Sequence, residues 1–598
     1  MASLDHLSLS RVNPNRALVL VGGRGAPMGS IGTWGFEDTS YRRAMRDPRA
    51  LTELRTREGL LPDDPRRLED LVGPRFIEAD HKLLTRHGGL VPESIRGDVA
   101  AYMGIGKRDK MAGRAPMGMQ LQALAGARYL AGLGATLPEL ADDPTRLSVL
   151  ASSGLPGTER FVESARASGY TLDPNLVAAL KVVARLAETS TSRLDADAAS
   201  ITLTRELGEH PVVGRDPLVD RKGVMGDTMA IAHILGSGVA TVFSNMIGPR
   251  TQVDSADPLL GARTLGAEFH HTGECATFFG SVRAAAMMLR ADPEFFQVPD
   301  MVLVGAAEAG FAVPSSRILS LLFDSMGAME NTDKVFGRGA DLWSGYAPLT
   351  TDVGGFWPGE GAGMVGLTTA AFAIRKRLRI VAELSALGAS ADQGGKSHPA
   401  ALGLGGLNSL RHALKVARTT GVVPNYVNLH GTGTDDNNIK ETGSLASLFG
   451  AMGYTHDTAL FADKAVQTHA LAAAGALALS AMLFGIVEGV LPGAANIEGR
   501  TVDPRIDTSF LRISSDPVRE FAAILLRSQG FWGNNEDMVV LPIREGMLAE
   551  RYDGVSAAEE IGYWDGVRER DAHGAENLGA LIARTTTCLE LLERVRFA

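Results

Sequence analysis

The sequence predicts a large α/β protein whose core is built from alternating strands and helices. Its 598 residues are 45% hydrophobic and 21% charged, an ordinary composition for a chain that buries a sizeable core. From about residue 227 onward, short apolar runs alternate with helical patterns. The 69 glycines indicate many tight turns and close backbone contacts. A formal net charge of -10 argues against a nucleic-acid-binding surface, so we expect no nucleic-acid partner.

The predicted elements follow from these patterns in chain order. Short apolar runs predict strands at residues 17–21, 146–152, 300–305, 378–384, 426–429, 521–526 and 538–541. Helical patterns predict helices at residues 120–133, 275–289, 407–418 and 471–487. The charged stretches 33–112 and 160–222 are typical of helical insertions, and residues 545–598 of a helical extension.

Hydropathy and cysteine content bear on membrane insertion and on the cellular compartment. The apolar run 470–487 has the minimum length for a membrane span, but its Ala/Gly content and the following Glu488 predict a core helix without membrane insertion. Cys275 and Cys588 are too few for a disulfide framework or a zinc cluster. With no secretory signal visible at the N-terminus, these features predict a cytoplasmic location.

Cys275 is the first candidate for chemistry. It lies in the sequence Thr-Gly-Glu-Cys-Ala-Thr, just ahead of a helical pattern that reaches Leu289. The positive end of a helix dipole would lower the pKa of its thiol and make it a better nucleophile. A small buried hydrophobic residue is at least as good an interpretation of a lone cysteine, so this segment alone decides nothing.

Two histidines follow in settings that suit a small-molecule pocket. His430 opens the sequence His-Gly-Thr-Gly-Thr at the end of a predicted strand, where glycines leave backbone N–H groups accessible to a ligand. Lys464 and His469 lie where the Ala/Gly-rich helix begins, which favours a neutral imidazole. A neutral histidine can donate its N–H to a thioester carbonyl. Taken singly, these two residues also fit a surface lysine and a helix-entry histidine.

The fourth segment is the glycine-rich loop 528–535, which separates two predicted strands and reads Ser-Gln-Gly-Phe-Trp-Gly-Asn-Asn. Phe531 is an aromatic residue flanked by glycine, which suits a mobile gate whose backbone N–H faces the site. A simple hairpin-like loop is the alternative interpretation.

Taken together and in this order, the four segments resemble the β-ketoacyl synthases of the elongating type, which belong to the thiolase superfamily. That family shows a nucleophilic cysteine, a His-Gly-Thr-Gly-Thr motif, a Lys followed five positions later by His, and a Gly-Phe-Gly-Gly-Thr-Asn loop. This sequence supplies Cys275, His430 to Thr434, Asn437, Glu441, Lys464, His469 and residues 530–535. Residues 306–309 and 355–363 are similar to two further family motifs, and the resemblance extends over residues 225–542.

The resemblance implies a thiolase fold with two pseudo-symmetric βαβαβαββ halves in a five-layered αβαβα core. Residues 1–370 would form the half that carries Cys275, and residues 371–544 the half that carries His430 and His469. It also implies a homodimer that acts with an acyl carrier protein, acyl-CoA or both.

The family's chemistry assigns a role to each matching residue. Cys275 would hold the acyl group, with the N–H groups of Cys275 and Phe531 forming the oxyanion hole. His430 and His469 would bind the thioester oxygen of a malonyl thioester while it loses carbon dioxide. The lost carboxylate supplies the carbanion, so the resemblance implies no organic cofactor and no metal.

The remaining matches would support this machinery. Lys464 would pair with Glu441 and tune the histidines, and the resemblance gives Thr432, Thr434 and Asn535 supporting places.

Several positions depart from the family pattern. Glu274 stands where a small residue is usual, and because a carboxylate facing the thiol would raise its pKa, we expect it to point away. Thr468 replaces the glycine before His469, and Asn438 replaces an aspartate. These differences place the chain outside the common fatty-acid elongation enzymes.

Four other functions remain to be weighed. A degradative thiolase would need a second catalytic cysteine, and Cys588 lies in the unmatched tail. An initiating synthase uses Asn at the place of His469, although initiation from an acyl-CoA primer stays open. A non-catalytic chain-length-type partner or a scaffold would not need Cys275 and both histidines. The basic run 375–379 could meet an acidic carrier protein, but a solvated turn explains it more simply.

Overall fold

The structure is a computed structural model that describes most of the second half of the chain and parts of the first. The described residues are 9–23, 91, 99, 116–154, 247, 265–269, 271, 273–309, 323, 327–331, 334–335, 346–352, 354–392, 404–454, 457–530, 533–583 and 585–595. The predicted insertions at 33–112 and 160–222 lie outside these residues, apart from positions 91 and 99, and stay predictions.

Eleven strands in the described residues form a mixed sheet. They are β1 (Leu18–Val21), β2 (Leu147–Ser152), β3 (Glu268–Phe269), β4 (Met301–Glu308), β5 (Gly361–Thr369), β6 (Ile380–Ala391), β7 (Tyr426–Asn428), β8 (Thr458–Phe461), β9 (Leu511–Arg512), β10 (Ile524–Gln529) and β11 (Asn534–Pro542). Each of the seven predicted strands overlaps one of them. The sheet order is β3-β2-β4-β5-β1-β6-β11-β10-β7-β8-β9.

The strand order contains an internal duplication. Read outward from the centre, β1-β5-β4-β2-β3 and β6-β11-β10-β7-β8 have the same directions: the first three strands of each series are antiparallel neighbours, and the last three are parallel neighbours. β1 and β6 pair antiparallel and join the two series. The predicted pair of similar halves is therefore visible in the pairing itself.

Helices fill the space between and outside the two halves. They are α1 (Met117–Leu133), α2 (Leu137–Leu140), α3 (Thr277–Leu289), α4 (Ala370–Lys376), α5 (Leu404–Thr419), α6 (Asp435–Ala451), α7 (Lys464–Gln467), α8 (Ala474–Glu488), α9 (Leu548–Arg551), α10 (Ala557–Ile582) and α11 (Cys588–Val595). α3 and α8 contact each other and strands of both halves, whereas α1 covers β4 and β5, and α5 covers β6 and β11. These contacts give the five αβαβα layers of the predicted thiolase fold.

The strands are buried on both faces, as layers of helices require. In β1, Leu18 and Leu20 pack into the inner core with residues of α3 and α8, while Val19 and Val21 pack into the outer core with α1. The segment Leu471–Glu488, which includes α8, has the length and composition of a membrane span, with a mean hydropathy of 1.9. It is 83% buried inside the protein, which agrees with the predicted core helix.

The helices after residue 545 belong to the same core. α10 packs on α1, and its residues Trp564, Val567 and Leu578 join the outer core cluster. The hydroxyl of Tyr563 donates to the carbonyl oxygen of Leu378 at 2.7 Å, at the start of β6. The helices that follow residue 545 thus cover the outer face of the first half.

Candidate active site

Cys275 and His469 each lie shortly before the central helix of their own half. Cys275 lies in the 3-10 turn Glu274–Ala276 directly before α3, and His469 lies two residues before the 3-10 turn Leu471–Ala473 that leads into α8. Because α3 and α8 are the two central helices, their N-terminal ends bring these side chains together. The side chains meet although they come from different halves of the chain.

The three residues predicted to carry the chemistry converge. The Nε2 atom of His469 lies 3.0 Å from the Sγ atom of Cys275, and the imidazoles of His430 and His469 have ring centroids 5.9 Å apart at an angle of 86°. All three residues are at most 4% exposed and line one cavity of about 310 Å³. The sequence therefore identified side chains that share a single buried site.

The electrostatic environment of Cys275 differs from the sequence-based expectation. Burial raises the pKa of its thiol to about 12, and the positive charge of Lys464 opposes this increase only in part. The expectation that a helix start lowers the thiol pKa is therefore wrong for the free protein, because loss of solvation outweighs it. Glu274 adds to the increase through its negative charge, although its carboxylate accepts a hydrogen bond from Asn534 at 3.0 Å.

The backbone around His430 is fixed by Glu441. One carboxylate oxygen of Glu441 accepts the N–H of His430 at 2.6 Å, and the other accepts the N–H of Gly431 at 3.0 Å and the side-chain amide of Asn437 at 3.1 Å. Gly431 has a φ of 53°, a conformation that L side chains rarely adopt. The His-Gly-Thr-Gly-Thr turn is thus held by a residue of α6 that lies 11 positions after His430.

The imidazole of His430 is fixed in one tautomer. Its Nδ1 atom accepts the backbone N–H of Gln529 at 3.2 Å, so in the neutral ring the proton lies on Nε2. Burial, followed by the charge of Lys464, lowers the pKa of His430 well below 6.5, and the same causes lower that of His469. His430 therefore offers a neutral N–H donor to the cavity.

Lys464 acts on His430 rather than pairing directly with Glu441. Its Nζ atom donates to the carbonyl oxygen of His430 at 2.6 Å and lies 3.4 Å from the Nδ1 atom of the same residue. Glu441 reaches Lys464 through its charge, which raises the pKa of the ammonium, although burial lowers that pKa overall. The predicted Lys464–Glu441 pair does not form. Instead, Lys464 binds the carbonyl oxygen of His430, and Glu441 binds the N–H groups of His430 and Gly431.

His469 is held by a neighbouring strand-like segment that the sequence did not single out for this role. Its backbone N–H donates to the carbonyl oxygen of Trp357 at 2.8 Å, and its carbonyl oxygen accepts the N–H of Gly359 at 2.9 Å. The ring of Phe356 packs against the imidazole with centroids 4.6 Å apart. The only sequence signal was the likeness of residues 355–363 to a family motif, which gave no partner.

The predicted supporting residues divide into two groups. Thr432 and Thr434 line the cavity, and their hydroxyl oxygens lie 3.3 Å apart. Asn535 is buried and donates to the carbonyl oxygen of Gly533 at 2.8 Å, so it shapes the loop after β10 instead of facing the cavity. Phe531 lies outside the described residues, and its part in the oxyanion hole stays a prediction.

The entrance of the cavity contains residues that the sequence did not indicate. Asp435 and Asp436 of α6 line it. Arg505 forms ion pairs with Asp435 and with Asp503, and Lys440 pairs with Asp436 at 2.8 Å. The two cations offset part of the charge of the three carboxylates at this exposed end of the cavity.

The basic run 375–379 is engaged within the protein. Arg375 and Lys376 contact Asp142 at 2.9 Å and 2.6 Å, and Arg379 forms an ion pair with Asp571. Internal pairing favours the simpler interpretation of a charged turn before β6 over a docking site.

Comparisons with known proteins find similarity to β-ketoacyl synthases. The family model for the β-ketoacyl synthase C-terminal domain matches residues 381–498. The chain is 28% identical over 280 residues to the mitochondrial 3-oxoacyl-[acyl-carrier-protein] synthase of Arabidopsis thaliana, a match that covers 45% of this chain and 55% of that protein. The match thus spans about half the length of this curated relative.

Solved structures share the fold. The noncanonical ketosynthase FabY from P. aeruginosa superposes with a TM-score of 0.65 and 18% identity, covering 98% of this chain and 93% of that one. A type II polyketide ketosynthase in complex with its acyl-carrier protein gives a TM-score of 0.55 at 16% identity, covering 88% and 100%. The C-terminal family model and the curated relative support a divergent member of the β-ketoacyl synthase family, and the solved structures show that the chain has the ketosynthase fold.

Proposed function

We propose that the protein catalyses the decarboxylative Claisen condensation of an acyl thioester with a malonyl thioester, in fatty acid or polyketide biosynthesis. The observation that carries this proposal is the 3.0 Å contact between Cys275 Sγ and His469 Nε2, with the neutral His430 beside it. Such a pair of histidines can hydrogen-bond an enolate oxygen while the cysteine holds the electrophile.

In the first half-reaction, the sulfur of Cys275 attacks the carbonyl carbon of the acyl donor. A carbon–sulfur bond forms to Cys275, the donor's carbon–sulfur bond breaks, and the proton of Cys275 ends on the departing thiol. Because burial raises the pKa of Cys275, deprotonation has to accompany the attack, and His469 is the group within reach of that proton.

In the second half-reaction, a malonyl thioester binds with its thioester oxygen toward His430 and His469. Its carboxyl group leaves as carbon dioxide, and the electrons of the broken bond form an enolate, which the Nε2–H of His430 stabilises. The enolate carbon then attacks the acyl group on Cys275. A carbon–carbon bond forms, the cysteine is released as a thiolate that takes up a proton, and the product is a β-ketoacyl thioester.

An acyl carrier protein is the donor that we propose for the malonyl group, and acyl-CoA is an alternative acyl donor. The solved complex of a type II ketosynthase with its carrier protein supports this choice by analogy of fold. The family resemblance supports a homodimer, and the scarcity of cysteines supports a cytoplasmic location.

The first test is intact mass spectrometry after incubation with acyl-CoA and acyl-carrier thioesters. One acyl adduct is expected on the wild-type protein and none on Cys275→Ala, whereas a folded wild-type protein that no donor labels would favour a non-catalytic partner. His430→Ala should still accept the acyl group but fail to decarboxylate malonyl thioester. Normal condensation by that variant would refute the assigned role.

A further inference from the structure

Glu274 has a setting that the proposed chemistry does not explain. It directly precedes Cys275, and its φ of 49° lies in the left-handed region, which is unfavourable for a glutamate. The turn is held by Thr277, whose hydroxyl donates to the carbonyl oxygen of Glu274 at 2.7 Å and accepts the N–H of Gly273 at 2.9 Å. Outlying backbone next to a nucleophile is a reason to ask what the side chain does there.

The side chain of Glu274 reaches the loop that follows β10. Its Oε2 atom accepts a hydrogen bond from the Nδ2 atom of Asn534 at 3.0 Å. The backbone of Asn534 in turn accepts the N–H of Gly530 at 2.6 Å, and Gly530 lines the cavity beside Cys275. A Cβ on Gly530 would lie 2.6 Å from the carbonyl oxygen of Gly273, so the two turns are in direct contact.

We propose that Glu274 is a positioning residue: its bond to Asn534 ties the turn of Cys275 to the turn of Gly530 and holds a carboxylate beside the nucleophile. The proposal rests on Cys275 being the nucleophile of the proposed function. Glu274 itself touches no reacting atom in this scheme.

The charge of Glu274 also acts on the thiol, in the same direction as burial. Lys464 is the cation that favours the thiolate, while Glu274 and the buried Glu308 disfavour it. The neighbouring rings of His430 and His469 are kept neutral by burial and therefore add no positive charge. A thiol held protonated resists oxidation and alkylation until a substrate binds, because the thiolate is the reactive form.

The test measures the thiol itself, not condensation, so its failure is distinct from failure of the proposed function. The rate of labelling of Cys275 by iodoacetamide is recorded against pH for the wild type and for Glu274→Gln, with Cys275→Ala to subtract labelling of Cys588. Removing one negative charge should make labelling at pH 8 roughly three- to tenfold faster and move the profile to lower pH. Glu569→Gln makes the same chemical change on an exposed residue of α10 and should leave the profile unchanged.

The tie between the two turns needs a separate variant. Asn534→Ala removes the hydrogen bond but keeps the charge, so hydrogen exchange should become faster in peptides covering residues 273–277 and 528–535 only. Unchanged exchange there would overturn the positioning effect. If Glu274→Gln has wild-type stability and its labelling rate depends on pH as that of the wild type does, the effect of the charge is overturned.

Discussion

At Thr468 we expect glycine to give a more stable protein than alanine, the reverse of the usual order. Its backbone has φ 63° and ψ -176°, a region that is essentially restricted to glycine and costs about 1–3 kcal/mol for other residues. Thr468→Gly and Thr468→Ala both delete the same buried hydroxyl and methyl groups, so they differ only in the Cβ atom, whose presence strains this backbone. At ordinary positions glycine is less stable than alanine by about 0.5–1 kcal/mol, because it loses more conformational freedom on folding.

At position 468 the order should reverse. Subtracting the ordinary cost of glycine from the relieved strain leaves Thr468→Gly more stable than Thr468→Ala by up to about 2.5 kcal/mol. Urea unfolding followed by tryptophan fluorescence gives this difference directly, provided that the two variants have the same m-value. If alanine is the more stable of the two, the backbone at this position is not strained and the reasoning fails.

A second residue provides the control for that experiment. A Cβ on Gly359 would lie 2.0 Å from the hydroxyl oxygen of Thr468, so Gly359→Ala should be strongly destabilising in the wild-type background. In the Thr468→Gly background the clash disappears, and Gly359→Ala should cost less by at least about 1 kcal/mol. Additive free energies would show that the two residues are not coupled.

Three further predictions concern stability and its dependence on pH. Glu441→Ala leaves three buried N–H donors without their acceptor, so it should lower the free energy of unfolding by at least about 3 kcal/mol and abolish condensation, as chemical denaturation and a malonyl decarboxylation assay would show. Arg551→Met leaves the buried carboxylate of Glu383 unpaired and should cost about 3–5 kcal/mol, whereas Arg551→Met combined with Glu383→Leu should regain most of this loss. Burial lowers the pKa of His469 well below 6.5, so below about pH 6.5 the unfolded chain takes up a proton that the folded protein does not. The contribution of the neutral His469 to stability is therefore present above that pH and is lost as the pH falls, by up to about 1.4 kcal/mol per pH unit. Between pH 6.5 and 5, the free energy of unfolding of His469→Phe, measured by urea denaturation, should fall less steeply than that of the wild type. Equal slopes for the two proteins would contradict the lowered pKa of His469.

The fold was predictable because its parts have local signatures. Periodic hydrophobicity placed α1, α3, α5 and α8 within a few residues of their observed ends, since burial of one face leaves a pattern along the chain. The strand predicted at 521–526 is observed at Ile524–Gln529. Its ends are set by pairing with β7 and β11 and not by the composition of the segment. The duplication is invisible in the sequence pattern and emerges only from strand directions.

The site was predictable as a set of residues but not as a set of contacts. Cys275, His430, His469 and Lys464 converge as the resemblance implies. The N–H of Gln529 that fixes the tautomer of His430 is a backbone group from a distant strand, which no side-chain pattern encodes. The thiol pKa was predicted in the wrong direction because the helix start is a local feature, whereas desolvation depends on every element packed around Cys275.

The place of β1 in the sheet has a consequence for biosynthesis. This strand is synthesised long before its two neighbours, β5 and β6, which are complete only after Ala391 has been added to the chain. During that interval, four apolar residues with unpaired backbone groups remain available to other nascent chains. The yield of folded protein in a cell should therefore depend on chaperones that shield the N-terminal region until the second half emerges.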